Sequence, residues 1–109
     1  MPSYLKNEVL LVRYLFTDFS TTKVRPAVVV QVPHASQDVL IVPLTSQTAG
    51  LLAGEFILAD WAGAGLNVRT AVRRGIYTVH PRLVLRRLGQ LSPADSQQLE
   101  QALRAWLDL

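Results

Sequence analysis

For most of its length the chain alternates short apolar runs with polar, turn-forming stretches, and the period changes only near the end. Residues 8–14, "EVLLVRY", predict a first strand. A hydroxyl-rich loop over 15–25 follows, with Asp18, Ser20, Thr21 and Thr22 supplying turn chemistry. The β-branched run "PAVVVQV" (26–32) predicts a buried strand, with Pro26 at the first position, where a strand tolerates proline. A turn at 33–37 leads to the strand "DVLIVPL" (38–44), and a second polar loop, "TSQTAGLLAG" (45–54), leads to another at 55–60. Gly63 and Gly65 break the chain before two short strands at 68–73 and 76–79. His80-Pro81 opens a turn or helical piece, and "RRLGQL" (86–91) reads as the last strand. Many short strands at this spacing suggest a small β-barrel or sandwich.

The C-terminal segment has a helical period. Ser92-Pro93-Ala94-Asp95 offers an N-cap hydroxyl, a proline at the first helical position and an acid in the first turn. Leu99, Ala102, Leu103, Trp106 and Leu107 then fall on one helical face, which should lie against the sheet. Trp106 is expected in the core and Trp61 in a packed turn. The fold class predicted is therefore α+β, mainly β with a C-terminal helix.

Composition narrows the function. With 109 residues, half of them apolar, the chain reads as a single domain over 1–109 with a real core. It has no cysteine, so disulfides and thiolate metal sites are excluded. No apolar run spans a bilayer and no signal-peptide pattern is seen, so no membrane association is expected and the location expected is cytoplasmic. The formal charge is +3, from 11 Lys+Arg against 8 Asp+Glu, and only Lys6 and Lys23 of those cations are lysines. Arginine forks onto phosphates and stacks on bases, so this mix is compatible with nucleic acid.

His34 and His80 lie far apart, and neither zinc spacing, a phosphate-binding glycine loop nor a nucleophile elbow is present. Both histidines read as solvated turn residues. Two polar loops remain, one carrying Thr17, Asp18, Lys23 and Arg25, the other Thr45, Ser46, Gln47 and Thr48. If strands 26–32 and 38–44 form an antiparallel hairpin, Arg25 and Thr45 meet at the same end of the sheet. A guanidinium flanked by hydroxyls suits a phosphate. Turn-capping hydroxyls beside a solvated arginine are the equally simple alternative.

"KVRPAVVVQV" followed by "DVLIVPLTSQ" closely resembles the diagnostic segments of the MazF/PemK-like toxins of type II toxin–antitoxin modules. "EVLLVRYLFTDFS", "FILADWAGAGL" and "LVLRRLGQLSPADSQQLEQAL" resemble further segments of that family in the same order, so the likeness runs from about residue 7 to the end. The resemblance implies a compact antiparallel β-barrel of the SH3-like or CcdB-like type packed against helices, acting as a homodimer. It implies a metal-independent, cofactor-free endoribonuclease cutting single-stranded RNA to leave 2′,3′-cyclic phosphate and 5′-hydroxyl ends, restrained by a cognate antitoxin. By motif match, Arg25 and Thr45 take the catalytic positions, with Ser46 beside them. A guanidinium keeps its proton, so Arg25 is expected to stabilise charge and to be a candidate proton donor, not a base. Geometry and resemblance together add Phe16, Thr17, Asp18, Lys23, Gln47, Arg69, Arg73 and Tyr77 as candidate RNA contacts.

Some features depart from the family pattern. Asn7-Glu8 replaces the usual glycine–acid pair, the first loop lacks a Ser-Glu-Gln type of segment, and "LLAGEFILAD" holds no histidine. "VRRGIYTVHP" brings Arg73 and Arg74 where an acid is usual. Two other functions fit the same fold: a CcdB-like gyrase inhibitor without nuclease activity, and a catalytically silent binding module. Retention of Arg25 and Thr45 favours the ribonuclease.

Overall fold

The structure, a computed structural model, describes residues 4–15, 22–31 and 38–109. Among these residues, strands β1 (Glu8–Leu15), β2 (Thr22–Val29), β3 (Val39–Thr45), β4 (Phe56–Ile57), β5 (Ala71–Val72), β6 (Tyr77–Val79) and β7 (Val84–Gln90) precede one helix, α1 (Pro93–Leu107). A 3-10 turn, Pro81–Leu83, follows β6 at the predicted His80-Pro81 break, and His80 Nδ1 accepts the Arg82 amide there at 3.0 Å. The strand order is β4-β5-β3-β2-β1-β7, with β6 also on β3, and among the described residues the strand pairings are antiparallel. Among the described residues this sheet does not close on itself, an arrangement compatible with an SH3-like barrel. The α+β class holds. No helix among the described residues is long and apolar enough to cross a membrane.

The continuous apolar runs bury both faces of the central strands. Val9, Val28, Val42 and Leu44 join Leu58, Leu91 and α1's Leu99 in one core cluster. Their neighbours in sequence, Leu10, Ala27, Val29 and Ile41, join Val79 in a second cluster. The helix begins as its capping signals require, with Ser92 Oγ accepting the Asp95 amide at 3.2 Å. Leu99 and Ala102 are buried and Leu103 and Trp106 half-buried, but Leu107, expected on the same face, is 52% exposed and borders a groove with Gly75 and Ile76.

Several boundaries differ from expectation. Thr22 to Arg25 were expected in a loop, yet β2 begins at Thr22, because β1 supplies ladder partners as far as Leu15↔Thr22. Exposed Lys23, Val24 and Arg25 thus form an arm that runs past the part of β2 paired with β3. At its other end β2 stops at Val29, short of the expected 32. The strand expected at 55–60 is only Phe56–Ile57, since the Ala59 and Asp60 amides donate to the carboxylate of Asp95 and not to a neighbouring strand. The strand expected at 68–73 shrinks to Ala71–Val72, and β7 starts two residues early.

Pro43 organises the outer edge of β3. It has no N–H to donate, and the partner strand changes beside it: Val39 to Ile41 pair with β6, whereas Leu44 and Thr45 pair with β5. The Pro43 carbonyl accepts the Arg73 amide at 3.0 Å, so the chain leaves β5 at the split.

Asn7 adopts φ 74°, the left-handed region that glycine enters most easily, which explains how asparagine serves there. Glu8 is held by Arg87, whose Nη1 donates to both carboxylate oxygens at 2.8 and 2.6 Å while the guanidinium lies 4.5 Å from the Tyr4 ring centroid. The turn 59–65 closes onto β7 through Gly65, at φ 87°, where an added Cβ would collide with the Leu88 carbonyl. Gly65→Ala should cost about 3 kcal/mol, measurable as a lowered denaturation midpoint.

Candidate active site

The β2–β3 register runs Val29↔Ile41, Val28↔Val42, Ala27↔Pro43. Continued by two residues, it sets Arg25 opposite Thr45. Both line a cleft of about 500 Å³, together with Lys23, Ser46, Gln47 and Arg73. The polar end of a hairpin arm and the start of the loop after β3 thus become one surface, as counting back from the turn predicted.

The hydrogen bonds fix some of these groups. Thr45 Oγ1 accepts the Gln47 amide at 3.1 Å, which occupies a lone pair and leaves its own O–H to donate. The Arg25 guanidinium donates through Nη1 to the Val24 carbonyl at 2.9 Å, which uses one of its five N–H groups. Lys23, Arg25 and Arg73 bring positive charge to the cleft, and among the described residues no carboxylate lines it. An anion is the ligand these walls suit.

The other wall was not foreseen. Leu66, Asn67, Val68 and Thr70 complete the cleft. Thr70 is 2% exposed, and its hydroxyl donates to the Val68 carbonyl at 2.8 Å, locking the bend that presents Asn67 and the 53% exposed Val68. Their position follows from Thr45↔Ala71: once β5 pairs with the end of β3, the residues entering β5 must stand beside Thr45. An exposed valine next to an asparagine just ahead of a strand was the available signal.

Other expected contacts lie elsewhere. Arg69 is exposed but is not among the lining residues, although both its neighbours are. Tyr77 pairs with Ile41 on β6, at the opposite half of β3 from the cleft. Arg74 does not line this cleft but borders a separate groove with Gly75, Ile76, Trp106 and Leu107. Phe16, Thr17, Asp18 and His34 lie outside the described residues.

The family description "PemK-like, MazF-like toxin of type II toxin-antitoxin system" matches residues 7–107. The chain belongs to that family. No curated protein matches the sequence. Among solved structures, an endoribonuclease from Mycobacterial species superposes with a TM-score of 0.74 at 21% identity, over 100% of this chain and 95% of that one. An endoribonuclease from Mycobacterial species in complex with its cognate antitoxin gives 0.75 at 21% identity, over 98% and 97%. The Mycobacterium tuberculosis toxin MazF-mt6 gives 0.71 at 25% identity, over 92% and 96%. This MazF/PemK-like toxin therefore shares a fold with these proteins along nearly its whole length.

Proposed function

We propose that this MazF/PemK-like toxin is a metal-independent endoribonuclease that cuts single-stranded RNA at a short recognition sequence. It acts in the cytoplasm as a homodimer and is restrained by a cognate antitoxin. The observation that carries the reading is the meeting of Arg25 and Thr45 in one cationic cleft.

The chemistry follows from those groups. The ribose 2′-oxygen bonds to the adjacent phosphorus while the bond from phosphorus to the 5′-oxygen breaks. The 2′-hydroxyl gives up its proton to solvent water and the departing 5′-oxygen gains one from its donor, which solvent reprotonates, leaving a 2′,3′-cyclic phosphate and a 5′-hydroxyl. Between these states the phosphorane carries extra negative charge, and fixed donors aimed at such charge are often the largest catalytic contribution. Arg25 stabilises that charge and is the candidate donor to the leaving oxygen. Thr45, with Ser46 beside it, hydrogen-bonds a phosphate oxygen. The nucleophile comes from the substrate, so no metal-activated water is required.

Lys23 and Arg73 meet flanking phosphates, and Gln47 stands at the same wall. The candidate contacts Phe16, Thr17, Asp18, Arg69 and Tyr77 extend the RNA path beyond the cleft. Arg73→Ala should weaken RNA binding without changing cleavage position, and should reduce the salt dependence by the equivalent of about 0.7 in log–log slope, one single-strand phosphate contact. Binding titrations over a salt series check this.

The direct test is to incubate the purified protein with a long single-stranded RNA in excess EDTA and map the ends. Discrete cuts with cyclic-phosphate and 5′-hydroxyl ends support the reading. Intact RNA in the presence of folded, antitoxin-free protein would refute it.

A further inference from the structure

A carboxylate stands directly behind the cleft wall, where a protein that binds a polyanion has reason to exclude one. Glu55 Oε2 accepts the Arg74 amide at 2.9 Å, and Oε1 accepts the Leu52 amide at 2.8 Å. The Glu55 amide in turn donates to the Leu52 carbonyl at 3.0 Å. One residue earlier than Arg74, the Arg73 amide donates to Pro43 at 3.0 Å. The backbone carrying Arg73 is thus tied on one side to β3 and on the other to the loop that begins with Ser46 and Gln47.

Building on the ribonuclease reading, we propose that Glu55 is a positioning residue for RNA binding: it braces the Arg73–Arg74 backbone so that the Arg73 side chain faces the cleft. Glu55 does not line the cleft itself. Its partners suit a permanent anion. Burial works against the charged form, but the Arg74 amide, the Leu52 amide and the nearby charge of Arg73 outweigh it, and the Glu55 pKa is held below the ordinary carboxylate value. The carboxylate is therefore charged at neutral pH. Its contribution to stability is fully present above the unfolded-state value and disappears as pH falls through the lower folded-state value.

The brace and a merely electrostatic role predict opposite signs. A carboxylate acting only through its charge repels RNA, so its neutralisation would tighten binding. A carboxylate acting as a two-oxygen acceptor helps binding, so its loss weakens it. Glutamine offers only one acceptor oxygen, and its NH2 group faces an amide N–H that needs an acceptor. Aspartate keeps the charge but is too short to reach both amides.

The test measures binding of a single-stranded RNA carrying 2′-deoxy sugars, together with KM and kcat on the cleavable strand. Glu55→Gln, Glu55→Asp, Arg73→Ala and the Glu55→Gln/Arg73→Ala pair are compared with the unaltered toxin. Both Glu55 variants are expected to raise Kd and KM by roughly three- to ten-fold, the scale of one misplaced phosphate contact, with kcat within about two-fold. In the Arg73→Ala background Glu55→Gln should add nothing. Tighter or unchanged binding in Glu55→Gln would overturn the brace, as would an undiminished effect after Arg73 is removed. If Glu55→Gln fails to fold, Glu55→Asp carries the same decision. Absence of RNA binding by the unaltered toxin would instead sink the ribonuclease reading on which the brace depends.

Discussion

Arg25→Ala should lower RNA cleavage by about 10²- to 10³-fold while leaving the protein folded, since one fixed donor to developing charge is typically worth that much. The side chain is exposed and, among the described residues, donates to the neighbouring Val24 carbonyl, so its removal disturbs no core contact. Lys23 and Arg73 remain in the cleft to hold the strand, and the loss should fall on kcat more than on KM. Arg25→Lys keeps a charge but loses the planar fork, and should recover only part of the rate. Growth assays on expression provide a second readout. Loss of toxicity in Arg25→Ala is expected of a nuclease, whereas persistence would point to a toxin that acts by binding, such as a gyrase inhibitor.

The largest expected effect on stability comes from Asp95→Ala. Asp95 is 1% exposed, and its two oxygens accept the Ala59 and Asp60 amides at 2.8 and 2.9 Å. Truncation would leave both amides without that acceptor in a part-buried setting. Hydrogen bonds to a charged group contribute about 1.5–3 kcal/mol each, so the combined cost of losing two should be about 3–6 kcal/mol. For a domain of this size that is a large part of the total and should lower the melting temperature by more than about 10 °C. Asp95→Asn retains one acceptor and should lose about half as much. The damage should extend to function, because the anchored turn leads into the cleft: the Leu66 amide donates to Trp61 at 3.1 Å, and Leu66 to Val68 form the wall. Thermal denaturation alongside RNA binding checks both effects.

Local signals were legible and long-range ones only partly so. Ser92 and Pro93 announced the helix because capping is settled within a few residues of chain. Asp95 read as a first-turn acid, which was correct but incomplete, since its partners at 59 and 60 lie far away in sequence. Arg25 and Thr45 could be brought together because an antiparallel hairpin allows counting back from its turn. Asn67 and Val68 could not, because their place depends on β5 adding to β3, a pairing between distant segments. The split at Pro43 escaped notice for a related reason. In sequence it is a proline within an apolar strand, and only its missing N–H and the two partners on either side show that the sheet divides there. Lys23 and Arg25 looked like loop residues by polarity, yet β1 holds them in a ladder.

The most direct measurement of the central claim uses one RNA strand whose cut site has been mapped, prepared with and without a 2′-hydroxyl at the nucleotide preceding the cut, and incubated with the toxin in excess EDTA. The account predicts that the all-ribose strand is cut to a cyclic phosphate and a 5′-hydroxyl, and that the strand with the single 2′-deoxy sugar binds equally well but stays intact. Cleavage of the deoxy-substituted strand at the same position would show that the nucleophile is not the substrate's own hydroxyl, and would contradict the role assigned to Arg25 and Thr45.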